Sequence, residues 1–133
     1  MCAMNKKAAI DIAQQNGFPV EAGQCVFSNV NRGPRNVWWL DIPVEKTNRG
    51  VAVLLCDGKN KRLYCLVVPR KIFRNNAGDF FCGVVKGVDK FRIEPSASGQ
   101  DFLQDRRPGS AGFRFHPFVE KSIEIDGDEE RRA

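Results

Sequence analysis

The apolar positions change period along the chain, and each change predicts an element. Over residues 5–16, Ala8, Ala9, Ile12 and Ala13 recur at helical spacing. That pattern predicts a first helix with Asn5 as its cap and Gly17 as its stop. An alanine-rich stripe lets such a helix lie close against a sheet. Residues 24–30 alternate as a strand does, with Cys25 and Phe27 on one face and Val26 and Ser28 on the other. A turn centred on Gly33-Pro34 follows, and VWWLDI at 37–42 predicts the next strand, ended by Pro43. Successive strand side chains face opposite ways, so one of Trp38 and Trp39 belongs to the core and the other is partly covered or exposed.

Two near-continuous aliphatic runs, residues 51–57 and 62–68, flank Gly58-Lys-Asn-Lys61. Such a pair predicts a hairpin buried on both faces, so something must cover each side of it. If Gly58 pairs with Lys61, Cys56 faces Leu63 and lies diagonal to Cys65. That diagonal, roughly 7 to 8 Å, is too long for an easy disulfide. Residues 70–76 suit a short helix with Ile72 and Phe73 inward, and residues 80–86 and 90–94 suit strands around Gly87. Residues 98–107 suit a helix capped by Ser98 and anchored by Phe102 and Leu103. Residues 108–112 form a loop and residues 113–119 a phenylalanine-rich closing segment. The order predicts one α+β domain over residues 1–125. Its mainly antiparallel, strongly twisted sheet has about five or six strands, with the N-terminal helix and one or two short helices packed on it. Residues 126–133 read as a charged, disordered tail.

Composition narrows the classes. A chain of 133 residues, 42% hydrophobic and 28% charged, suits a single globular core. No apolar run approaches the roughly 20 residues of a membrane helix, so no membrane partner is expected. Asp11, Gln14, Gln15 and Asn16 interrupt what would be a signal-peptide core, and the expected location is cytoplasmic. The five cysteines (Cys2, Cys25, Cys56, Cys65, Cys82) are odd in number and contain no C-x-x-C pair. Cys56, Cys65 and Cys82 sit in apolar runs, as reduced buried thiols do. With His116 as the single histidine, a histidine-rich metal site is excluded, and no metal or nucleotide cofactor is expected. No G-x-S-x-G accompanies His116 to suggest a serine hydrolase.

The net charge of +5 is unevenly distributed. Residues 32–107 hold fifteen basic against eight acidic side chains, whereas residues 120–133 hold three against six. Arg32 and Arg35 flank the first turn, and Lys59, Lys61 and Arg62 crowd the hairpin tip. Arg70, Lys71 and Arg74 fall on the short helix, and Arg106 and Arg107 come late in the chain. Guanidinium forks match phosphate oxygens, so this set is the candidate surface for DNA or another polyanion. The same charges also serve as a solvated face protecting strand ends. Asp105 with Arg106, Arg107, Arg114 and His116 suits an anion site or a general base, or a loop held by an acid–arginine pair. Outward rings at Trp38-Trp39 and Phe80-Phe81 suit core packing, a homo-oligomer contact or ligand stacking.

The succession of helix, three strands, helix and strand resembles the core of the restriction-endonuclease-like fold. That family's motif is an acid on one strand and acid-x-Lys on the next. Asp41 and Asp57-Gly58-Lys59 can be laid on it, with two carboxylates holding magnesium and the lysine assisting water or phosphate. An Asp-Gly pair is also common in turns for its backbone shape alone. The phrases WWLDIP, LYCLVVPRKIF and FLQDRRPGSAGFRFHPF, within residues 24–119, are similar to small modules of restriction and mobile-element proteins. The resemblance implies DNA-related work. The expectation is a non-catalytic accessory module with a basic face for nucleic acid. A magnesium-dependent nuclease using Asp41, Asp57 and Lys59 and a homo-oligomeric protein-interaction domain stand as alternatives.

Overall fold

The computed structural model describes residues 4–31 and 35–125. Helix α1 (Lys6–Gln15) begins where the Asn5 side chain accepts a hydrogen bond from the Ala8 N–H at 2.8 Å. It ends before Gly17, whose φ of +83° few other residues adopt. Strands β1 (Cys25–Asn31), β2 (Val37–Trp38), β4 (Val51–Asp57), β5 (Arg62–Val68) and β8 (Val119–Glu124) form one sheet in the order β2-β1-β4-β5-β8. Strands β3 (Leu40–Pro43), β6 (Cys82–Val85) and β7 (Val88–Ile93) form a second sheet in the order β3-β7-β6. All pairs are antiparallel except β1 with β4. The α+β class is as the sequence predicts, but the strands divide between two sheets.

The division occurs at Trp39. VWWLDI does not run as one strand: β2 belongs to the large sheet and β3 to the small one. At the break the Trp39 N–H donates to the Ser28 hydroxyl at 3.2 Å. Trp38 faces inward with no exposed surface, its indole N–H donating to the Cys56 carbonyl, while Trp39 is 61% exposed.

The β4–β5 hairpin pairs Asp57 with Arg62 and Cys56 with Leu63, as its pattern predicts. Alternation along it sorts the core into two layers. Leu54, Cys56, Leu63 and Cys65 face α1, together with Cys25, Ile123 and Ile125. Val51, Val53, Leu55, Leu66 and Val68 face the small sheet, meeting Leu40, Ile42, Phe91 and Ile93. The large sheet is therefore covered by helix on one side and by the small sheet on the other. Six phenylalanines, Phe73, Phe80, Phe91, Phe113, Phe115 and Phe118, interlock at the end of the second layer, with centroids 4.8 to 6.2 Å apart. Lys86 and Gly87, both at positive φ, close the β6–β7 hairpin with a two-residue turn.

Three expectations need correction. Residues 98–107 are turns and isolated bridges, because the Ser96 hydroxyl bonds Asp101 at 2.6 Å and accepts the Ser98 N–H. Leu103 there sits at φ +63°, although it and Phe102 do anchor the segment inward. The closing segment continues into β8, which pairs with β5. Cys82 is exposed because β6 is an edge strand. The short helix α2 (Arg70–Asn75) is as expected. The charged tail lies outside the described residues. No described helix is long and apolar enough to cross a membrane.

Candidate functional site

The small sheet turns Leu40, Ile42, Phe91 and Ile93 inward, so alternation sends Asp41, Arg92, Glu94 and Phe81 to its other face. Register places Asp41 opposite Arg92, and the two form an ion pair at 3.0 Å. The Arg92 N–H bonds the Phe81 carbonyl at 2.9 Å and so brings Phe81 alongside. Trp39, at the sheet break, stands at the end of this face. Trp39, Asp41, Arg92 and Glu94, with Arg35 and Arg107, line an open cleft of about 280 Å³.

Glu94 organises the cleft. Its carboxylate is only 6% exposed and holds two guanidinium groups, Arg35 on Oε1 and Arg107 on Oε2, the latter at 3.0 Å. The Arg107 guanidinium also lies 4.4 Å from the centroid of the Phe81 ring. Arg35 reaches back to the Arg106 carbonyl at 2.9 Å. Behind Glu94, the buried Asp105 carboxylate accepts the backbone N–H groups of Glu94 and Arg107, each at 3.0 Å. Burial raises the Asp105 pKa above its ordinary value, opposed by the Arg107 N–H, the Ser110 hydroxyl and the Arg107 charge. Asp105 thus fixes the strand end and the loop from beneath the cleft. Three guanidinium groups against two carboxylates leave the cleft cationic, with planar donors held in fixed orientations around an exposed indole.

The structure disperses much of the basic set. Lys59, Lys61 and Arg62 stand at the tip of the β4–β5 hairpin, whereas Arg70, Lys71 and Arg74 follow β5 at the opposite end, about 20 Å away along the strand. Arg106 pairs with Asp101 at 3.3 Å. Arg35 and Arg107 do converge, and Arg32 lies outside the described residues. The proposed polar cluster separates as well: Asp105 and Arg107 belong to this cleft, whereas Arg114 and His116 line another with Tyr64 and Phe102.

Asp41 and Asp57 do not meet. Asp41 is on the outer face of the small sheet, paired with Arg92. Asp57 ends β4 in the large sheet, buried, with its carboxylate bonded to the Asn60 side chain at 2.7 Å and to the Asn60 N–H. The small sheet's own core lies between them. Among the described residues no group of three histidine, cysteine or acidic side chains is arranged to hold a metal ion. Burial pushes the Cys25 thiol up to about 11 and the Cys65 thiol up to about 12, so neither is a nucleophile at neutral pH.

Sequence reading misses Glu94 and Arg92 as site residues. Their signal is the alternation of Phe91-Arg-Ile-Glu94, which places one arginine and one acid on the face opposite two core residues. Comparison with protein-family models, with curated proteins and with solved structures finds no match.

Proposed function

We propose that this protein is a small non-catalytic nucleic-acid-binding module that holds an unpaired strand on the outer face of the β3-β7-β6 sheet. The observation that carries the reading is Trp39, 61% exposed in a cleft with Arg35, Arg92 and Arg107. An indole on a rigid strand end offers a stacking surface to any base, and oriented guanidinium forks follow the phosphates. Lys90, on the same outer row as Arg92, extends the cationic face toward the β6–β7 turn. The likeness of WWLDIP and LYCLVVPRKIF to segments of restriction and mobile-element proteins supports a DNA-related setting.

The test is fluorescence anisotropy of labelled single-stranded and duplex oligonucleotides at several salt concentrations. Tighter binding of the single strand is expected, with affinity falling as salt rises. Trp39→Ala lowers single-strand affinity by about tenfold, consistent with the 1–3 kcal/mol of one lost stack. Duplex preference, or indifference to Trp39→Ala, rejects the reading.

A second reading, self-association, is favoured by the free edge of β6. Its residues Cys82–Val85 carry no charge, and Val84 is 68% exposed. Edge strands without charged residues pair readily with another chain. Light scattering across concentration would detect a dimer that Val84→Lys abolishes; a concentration-independent monomer dismisses it.

A further inference from the structure

We infer that the open cleft between β5 and the loops of residues 98–117 is a second binding site, built for a nucleotide. It has a volume of about 590 Å³ and is lined by Tyr64, Gln100, Phe102, Arg114 and His116, with Gly99 and Pro117 at its rim. That volume falls within the roughly 300–1,000 Å³ of small-ligand sites.

Its floor is aromatic and braced. Tyr64 and Phe102 meet at 5.1 Å between centroids, Phe102 and His116 at 6.1 Å, and the buried Trp38 supports both Tyr64 and Phe102 from below at 6.0 and 6.2 Å. Braced rings lose little entropy when a base lies against them. The polar groups differ from those of the Glu94 cleft, where each of the three arginines has a carboxylate. Among the described residues, Arg114 has no ion pair, and the side chains of Tyr64, Gln100 and His116 make no hydrogen bond. Burial, with the nearby Asp57, raises the Tyr64 pKa, which keeps its hydroxyl a neutral donor. A free guanidinium fork beside an aromatic floor suits a planar ring carrying a phosphate. Gln100 adds both a donor and an acceptor for a base edge. The ligand class is therefore a nucleotide, either free or as the unpaired end of a strand.

His116 is the sole histidine, so its imidazole C–H signals report on this cleft in a one-dimensional proton spectrum. Adenosine 5′-monophosphate, adenosine, inorganic phosphate and a 5′-phosphorylated single-stranded oligonucleotide serve as probes at fixed pH. A saturable shift is expected with the monophosphate, weakened at least tenfold by Arg114→Gln and unchanged by Trp39→Ala. A similar response to the oligonucleotide identifies a strand end as the source; a response to the mononucleotide alone identifies the free nucleotide. No shift up to millimolar monophosphate, an equal shift with phosphate alone, or indifference to Arg114→Gln overturns the inference. Because Trp39→Ala tests the outer-sheet cleft separately, either site can fail without the other.

Discussion

Glu94→Gln separates two roles that the outer-sheet cleft combines. The carboxylate is buried and accepts from two guanidinium groups, so its removal weakens two charge-assisted hydrogen bonds, each worth about 1.5–3 kcal/mol. Both partners retain access to water, with Arg35 45% and Arg107 25% exposed, and can rehydrate. Glutamine keeps the shape and one acceptor. The discounted cost is about 2 kcal/mol, below the roughly 3–5 kcal/mol of breaking a fully buried pair. For a chain of this length that lowers Tm by about 6–8 °C. The same substitution raises the charge of the cleft by one, while Arg35 remains anchored to the Arg106 carbonyl. Stability and oligonucleotide affinity should therefore move in opposite directions: a lower Tm by calorimetry, and single-strand binding tightened several-fold with a steeper salt dependence by anisotropy. A folded Glu94→Gln protein that binds more weakly would refute the reasoning, because Glu94 would then be contacting the ligand rather than tethering the arginines.

The two adjacent tryptophans should behave oppositely, with Trp38→Ala costing about 3–5 kcal/mol in denaturant unfolding and Trp39→Ala less than about 0.5. Equal costs would contradict the sheet break between them. Asp105→Asn keeps an acceptor for the Glu94 and Arg107 N–H groups and removes a buried charge. Since burial raises the folded pKa of Asp105 above its ordinary 3.8, the wild type loses stability relative to the variant as pH rises from there through the raised value. The stability of Asp105→Asn relative to the wild type should therefore be greater at pH 7 than at pH 3.8. An advantage that instead grows on acidification would reverse the sign of the argument. Alkylation of the native protein followed by peptide mass mapping should modify Cys82 ahead of Cys25, Cys56 and Cys65, and early labelling of Cys65 would contradict its burial.

Local chemistry made part of this molecule readable from sequence, and long-range register concealed the rest. The β4–β5 hairpin was legible because two aliphatic runs flank Gly58-Lys61, and the pairing of Gly58 with Lys61 that the turn suggests sets Cys56 opposite Leu63, as found. The first helix was legible because Asn5 and Gly17 mark its ends. Residues 98–107 do not follow the helix start that Ser98, Asp101, Phe102 and Leu103 suggest, because the Ser96 hydroxyl, bonded to Asp101 and to the Ser98 N–H, and backbone bonds of Ser96 with Leu103 and Gln104 hold the segment in turns. Strand β8 was missed because Glu120, Lys121, Ser122 and Glu124 face solvent and leave Ile123 as its only buried residue. The outer-sheet site depends on the same long-range terms. Nothing local to Glu94 says that Arg35, 59 residues earlier, will share its carboxylate with Arg107. That meeting needs the switch of sheets at Trp39, which lays β3 against β7 and sets Asp41 opposite Arg92. The switch that exposes Trp39 also seats Trp38 beneath Tyr64 and Phe102. One dipeptide thus forms a wall of the first cleft and the support of the second, and the geometry of both depends on the break between β2 and β3.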